Sequence, residues 1–245
     1  MNKNLTPKGL AQAATAGCLL LACSSVFATA SIIGPGTVKV FSVGDAFDVK
    51  YLCASGAACP ANDNTNDSGF DVTATSTWTV TSIVGAVIGL DIDLGNTTSD
   101  PDSTTNRIVE FGVKVLTPDA TAVSADSTSG IWNAVLDTNF PGFQTVDLLV
   151  DDPQSGGKSG IFEGITDNID LSLTLTSFNA TDGLMLEIFP IKFQGVGQSG
   201  QSLEFAGVPG IPGTEPAPGV PEPAPLALIA LGGILLGWKA RKSRT

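Results

Sequence analysis

Hydrophobic and polar residues alternate with a period of two through most of the chain between residues 36 and 206, and this period predicts β-strands. The clearest run is Asp71–Thr81, where Val72, Ala74, Ser76, Trp78 and Val80 alternate with five threonines. Further alternating runs are Val38–Val40, Phe47–Cys53, Leu90–Leu94, Arg107–Leu116 and Ile169–Leu175. Helical periodicity is nearly absent from this region. Roughly nine or ten strands fit at this spacing, which predicts an all-β domain built as an antiparallel β-sandwich or jelly roll.

Loops rich in Asn, Asp, Ser, Thr and Gly separate these runs. The segment Asn179–Gly183 is turn-forming, so it predicts a hairpin that joins Ile169–Leu175 to Leu184–Phe193. Pro190 interrupts the second of these runs. Because proline cannot donate a backbone hydrogen bond, it predicts an edge strand or a bulge at this place.

The first thirty residues have the layout of a secretory signal peptide. Lys3 and Lys8 precede an apolar core, and Ala28 and Ala30 form a small-x-small cleavage site. Cleavage after Ala30 starts the mature chain at Ser31. A second interpretation is a lipoprotein signal, since Cys23 follows Leu-Leu-Ala as the lipidated cysteine of a lipobox does. Both interpretations predict export from the cytoplasm.

The remaining two cysteines, Cys53 and Cys59, are separated by a short Gly/Ala-containing loop. In an oxidising compartment this spacing predicts a disulfide. Zinc is disfavoured, because the chain contains no histidine and no further mature thiol.

Charge is distributed unevenly along the chain. Two of the twelve Lys and Arg residues lie in the signal peptide and four follow Trp238, so residues 31–223 hold six bases against all twenty-four acids, a net charge of −18. Such a surface repels nucleic acids and anionic membranes.

Without histidine, no Ser-His-Asp or Cys-His catalytic site can form. A glycosidase built from carboxylates alone could draw on four residues: Glu110, Glu163, Glu187 and Glu204. Solvated strand faces explain them more simply, and we expect no enzymatic activity.

The C-terminal end changes composition from Val208 onward. Residues 208–220 are rich in Pro and Gly and predict an extended spacer after a domain of residues 31–207. Residues 224–238 are apolar and predict a short transmembrane helix, and a basic tail of residues 239–245 follows, with Lys239, Arg241, Lys242 and Arg244. The positive charges place this tail in the cytoplasm and the preceding chain outside.

Pro221-Glu222-Pro223, the apolar segment and the basic end, in this order, resemble the PEP-CTERM sorting signal of Gram-negative bacteria. The resemblance covers residues 221–245. It implies that signal peptidase and an exosortase process the chain, that the precursor is held in the inner membrane, and that the product reaches the cell surface or matrix. It also implies an extracellular polysaccharide as partner. Phrases such as Arg107–Val113 and Asn139–Leu149 resemble the cistern-type subset, whose cysteines this chain lacks.

Calcium is the metal for which the sequence offers candidate ligands. The residues concerned are Asp63, Asn64, Asn66, Asp67 and Asp71, which resemble the opening of an oxygen-ligand loop. A second acidic cluster comprises Asp91, Asp93, Asp100 and Asp102. Asx-turns require the same residue types, so solvated turns are the simpler interpretation. The sequence therefore predicts a non-enzymatic surface protein, with a calcium-dependent adhesive or ligand-binding module as the alternative.

Overall fold

The structure is a computed structural model that describes residues 30–34, 36–62, 64–101, 105–140, 142–143, 146–152 and 159–212. The predicted signal cleavage site lies at the edge of this range: Ala28 is outside it, and Ala30 is the first described residue. Ala30 packs into the core and is 2% exposed. The predicted sorting motif, transmembrane helix and basic tail all lie outside the described residues. Within the described ranges, no helix is long and apolar enough to cross a membrane.

The described residues form fourteen antiparallel strands, which confirms the all-β prediction. The strands are β1 (Ser31–Gly34), β2 (Thr37–Val40), β3 (Ala46–Cys53), β4 (Val72–Val84), β5 (Val87–Asn96), β6 (Arg107–Thr117), β7 (Ala120–Ser127), β8 (Asn133–Thr138), β9 (Val146–Asp151), β10 (Ile161–Phe162), β11 (Thr166–Leu175), β12 (Leu184–Glu187), β13 (Phe189–Val196) and β14 (Gln201–Gly210).

Hydrogen bonding connects the strands in the order β1-β2-β12-β6-β13-β14-β3-β4-β5-β11-β7. The other edge of β6 pairs with β9 and β10, and β8 pairs with β9. Strand β14 joins the two halves of this path, because its first part pairs with β13 while Val208–Gly210 pair with β3. The path therefore folds over at β14, and its two halves face each other as in a sandwich.

An aromatic cluster fills the space between the two halves. Trp78 of β4 packs against Phe189 of β13 and Phe111 of β6, with ring centroids 5.7 and 6.2 Å apart. Phe47 of β3 stacks on Trp78 and also touches Phe189. All four side chains are at most 1% exposed. Burial of these rings contributes to stability at about 25 cal/mol per Å² of buried apolar surface.

In β4, alternate side chains face the core and the outside of the sheet, as the sequence pattern predicts. Val72, Ala74, Trp78 and Val80 are buried, and the intervening threonines lie on the outer face. Even Ser76 has an inward role, because its hydroxyl accepts a hydrogen bond from the Trp78 indole N–H at 2.8 Å. The alternation thus reports a strand with one buried face.

The predicted hairpin between the runs now assigned to β11 and β12 is wrong. Strand β11 pairs with β5 and β7, whereas β12 pairs with β2 and β6. The turn itself does form, since Asn179 accepts backbone hydrogen bonds from Asp182 and Gly183 at 3.0 and 2.8 Å. It redirects the chain from one half of the fold to the other instead of returning it alongside β11.

Two further boundaries differ from the prediction. The run Leu184–Phe193 is divided at Ile188, and the edge-strand interpretation of Pro190 is wrong because β13 lies between β6 and β14. Pairing of β13 with β6 begins at Ile191, after the proline, and its register shifts by a bulge between Lys192 and Phe193. At the C-terminal end, β14 continues to Gly210, three residues past the predicted end of the domain at residue 207, because it pairs with β3 there.

Candidate functional site

Cys53 and Cys59 form the predicted disulfide, with Cα atoms 4.8 Å apart. Both cysteines are buried, and the loop they close continues over the surface of β14. The Asn64 amide donates to the Glu204 carboxylate at 2.6 Å, and the backbone N–H of Ala206 donates to the carbonyl of Pro60 at 3.1 Å. The disulfide loop is therefore attached to the sheet by covalent and polar contacts.

Residues of the hypothetical calcium loop have structural roles in this region. The Asn66 side chain is completely buried, and its Nδ2 donates to the carbonyls of Cys53 and Phe70 at 2.8 and 2.9 Å. Its Oδ1 accepts the backbone N–H and the hydroxyl of Ser68. Asp71 Oδ1 accepts the backbone N–H of Ser55 at 2.9 Å. Asp63 lies outside the described residues, Asp67 is exposed, and calcium binding stays a prediction.

The second acidic cluster is divided by the fold. Asp91 and Asp93 lie on the outer face of β5, where the Asn168 amide donates to both carboxylates at 2.6 and 2.9 Å. Asp100 lies in the loop after β5 and accepts the backbone N–H of Gly197 at 3.2 Å, and Asp102 is outside the described residues. No group of three metal-ligating side chains with suitable geometry occurs in the described part of the chain.

A row of carboxylates crosses the outer face of the sheet formed by β5, β11 and β7. Asp170 lies directly opposite Asp91 on one side and directly opposite Asp126 on the other. Like charges in facing positions destabilise a sheet, by about 0.2–1 kcal/mol per pair. The row makes this face strongly acidic.

The four glutamates considered for glycoside hydrolysis are engaged separately. Glu110 pairs with Lys192 at 2.8 Å and Glu187 pairs with Lys114 at 3.0 Å. Glu163 accepts the backbone N–H of Asp100 at 3.1 Å, and Glu204 accepts the Asn64 amide described above. These contacts give each carboxylate a structural partner.

Asp167, at the start of β11, is a carboxylate that accepts four hydrogen bonds. Its Oδ1 accepts the Thr128 hydroxyl at 2.7 Å and the Asn168 N–H at 3.0 Å, and its Oδ2 accepts the Ser129 hydroxyl at 2.5 Å and the Trp132 indole N–H at 2.7 Å. Burial alone raises the pKa of this carboxyl, but the four hydrogen bonds outweigh it and hold the pKa below its ordinary value. The sequence pattern did not point to Asp167, because three of its four donors belong to residues 128–132, distant in the chain.

The described surface also contains a groove of about 420 Å³ beside the disulfide loop. Its lining comes from five parts of the chain: Gly36, Ala61, Gly142–Phe143, Glu187–Ile188 and Ala206–Gly207. Such a volume lies within the range of small-ligand sites. The sequence analysis missed this groove. Nothing in the local sequence brings these five segments together, although the Ile-Phe-Pro step at residues 188–190 marks the break between β12 and β13.

Comparison with known proteins identifies no relative. No family model matches the chain, and no curated protein or solved structure matches it significantly. The PEP-CTERM resemblance of residues 221–245 therefore stays a prediction, as do the roles of Pro221, Glu222 and Pro223.

Proposed function

We propose that this protein is an exported, non-enzymatic protein of the bacterial cell surface or extracellular matrix, sorted through its C-terminal segment. The observation that carries the proposal is the order of features at the C-terminus: Pro221–Pro223, an apolar segment at residues 224–238 and four basic side chains. Signal peptidase acts on the N-terminus in this proposal, and an exosortase acts near Pro223. The partner outside the cell is an extracellular polysaccharide.

The described domain supports this proposal in two ways. Its disulfide suits an oxidising compartment outside the cytoplasm. Its four candidate glutamates are held by structural contacts, so a non-catalytic role is the simpler one. We assign the domain to the jelly-roll-like sandwiches. A calcium-dependent adhesive module is the weaker proposal, because Asn66 and Asp71 use side-chain oxygens within their own loop.

Replacing Pro221, Glu222 and Pro223 by alanine in the native host tests the sorting proposal. The unaltered protein should start at Ser31, end close to Pro223 by intact-mass measurement, and leave the inner membrane. The alanine variant should keep its basic tail and stay in the membrane fraction. A matched control, Pro216→Ala with Pro218→Ala, changes two prolines of the spacer and should be processed normally.

The proposal is overturned if the triple-alanine variant loses its tail at the same position as the unaltered protein and is found in the same cell fraction. A lipid-modified Cys23 at the amino end would establish the lipoprotein interpretation of the signal instead. The intact-mass spectrum identifies both termini, and membrane fractionation gives the location.

A further inference from the structure

The groove beside the disulfide loop is bordered by two unusual backbone conformations. Among the described residues, Ala61 and Ile188 are the two non-glycine residues with positive φ, at +59° and +48°, and both line this groove. A left-handed conformation is a genuine outlier for a β-branched residue such as isoleucine. Outliers of this kind concentrate at ligand sites, where function retains them against their conformational cost.

At Ile188 the backbone conformation itself does not require a side chain. At thirteen other described positions with positive φ the chain uses glycine. The bulge at Ile188 requires its backbone carbonyl, which accepts the Lys114 N–H at 3.2 Å, and glycine would supply that carbonyl equally well. The isoleucine side chain is instead 38% exposed at the groove. The backbone contact alone therefore does not account for an isoleucine at this position.

The rest of the groove combines an apolar strip with oriented charges. Phe143 also lines the groove and is held by an edge-to-face contact with buried Phe140, with ring centroids 5.7 Å apart. The Glu187 carboxylate, another lining group, is fixed by Lys114 at 3.0 Å. Ala206 and the glycines at positions 36, 142 and 207 supply small lining residues, which leave room for close approach of a flat ligand.

Asn62 connects the two loops that form the walls. Its amide packs against Gly142, where a Cβ atom would lie 2.0 Å from Nδ2. That Nδ2 is buried without a hydrogen-bond partner, an arrangement that native structures rarely retain for stability. The loop that carries Phe143 is thus packed closely against the loop that carries Ala61 and Asn62.

We infer that this groove binds one ring of a neutral saccharide. A pyranose has an apolar face, which can pack against apolar lining residues such as Phe143 and Ile188, and hydroxyl groups at its edge, which can donate to the Glu187 carboxylate. The net charge of −18 over residues 31–223 disfavours uronic or sulfated chains. The inference deepens the proposed function by naming a ligand class for the polysaccharide partner. It rests on that function for one point: export brings the protein to the place where the saccharide is found.

Isothermal titration calorimetry of the protein purified from its host tests this inference. The probes are cellotetraose, maltotetraose and mannotetraose, with tetragalacturonate as the anionic comparison. We expect a 1:1 complex with at least one neutral tetramer, bound at least tenfold more tightly than tetragalacturonate. Ile188→Gly keeps the left-handed backbone and removes the side chain, so it should weaken that complex at least tenfold. Phe143→Ala should do the same.

Val84→Ala is the matched control, because Val84 is 73% exposed at the turn between β4 and β5 and does not line the groove. It should bind as the unaltered protein does, and circular dichroism should show all three variants folded. The inference is overturned if no neutral tetramer binds at millimolar concentration, or if Ile188→Gly and Phe143→Ala both bind normally. Binding is measured on purified protein, so this result is independent of whether the tail is sorted as proposed.

Discussion

Replacing Asp167 by asparagine tests whether the hydrogen-bond cluster around this carboxylate anchors the turn at residues 128–130 to the core. Asp167 accepts four hydrogen bonds, two of them from N–H groups that cannot turn away, those of Trp132 and Asn168. An asparagine has a single oxygen. Whichever way its amide is placed, its NH₂ group faces one of the two N–H donors, whereas the hydroxyls of Thr128 and Ser129 can rotate to accept.

The magnitude follows from these contacts. Loss of a hydrogen bond to a charged group costs about 1.5–3 kcal/mol, and an orphaned buried donor adds about 1–3 kcal/mol. We expect Asp167→Asn to lower the free energy of unfolding by roughly 3 kcal/mol, near the lower end of that sum. For a domain of this size, that corresponds to a fall in Tm of about 6–12 °C. Urea unfolding at pH 7, followed by tryptophan fluorescence, measures it, because Trp132 reports the cluster directly.

The pH dependence gives an independent check. The folded-state pKa of Asp167 lies below its ordinary value of 3.8, so its stabilising contribution is complete above that value and is lost as pH falls through the folded pKa. The gap between wild type and Asp167→Asn should therefore narrow on acidification, at pH values where both proteins still fold. A loss below about 1 kcal/mol at pH 7 would refute the hydrogen-bond argument.

Asp170→Asn is the matched control, since it removes the same charge from the exposed face of the same strand. Asp170 faces Asp91 and Asp126 across neighbouring strands. Its neutralisation should leave stability unchanged or raise it by about 0.2–1 kcal/mol per relieved pair. If both variants lose stability equally, charge in β11 and not the Asp167 cluster is responsible.

Two further predictions concern the disulfide and the chain's single tyrosine. Cys53→Ala with Cys59→Ala should reduce the free energy of unfolding by about 2 kcal/mol, because the bridge closes a short loop; urea unfolding measures this, and a change below about 0.5 kcal/mol contradicts it. Burial, offset in part by Ser76, raises the pKa of Tyr51 above its ordinary 10.0. The stability this gives is complete below pH 10 and is lost at higher pH, so phenolate absorbance should appear together with loss of circular dichroism. A gradual rise before unfolding contradicts this.

Alternation predicted several strands well because each buries one face. In β4 the inward residues, including Trp78, contact the opposite half of the fold, and the outward threonines meet solvent. Strand β7 was harder to identify, because its inward positions Val123 and Ala125 are small and only partly buried. Weak burial leaves a weak periodic signal.

Strand pairing and the groove depend on contacts that no local pattern encodes. The turn at Asn179–Gly183 was correctly identified, yet turn chemistry fixes only where the chain bends, and the partner of β12 is set by packing between the halves. The groove draws its walls from segments more than a hundred residues apart, such as Ala61 and Ile188. Its strain is visible only in the backbone angles of the fold.

The loop around Asn66 shows why a sequence with calcium-like spacing is ambiguous. Oxygen-bearing side chains both ligate cations and close turns, so residue type alone cannot distinguish the two uses. The hydrogen bonds that each oxygen already accepts do distinguish cation binding from turn closure. Asn66 Oδ1 already accepts two hydrogen bonds, which occupy both of its lone pairs, and Nδ2 donates both of its hydrogens. To bind a cation, Asn66 would have to release Ser68 in a completely buried position. Loop closure is therefore the role that its geometry favours, and a metal at this loop would have to use other oxygens.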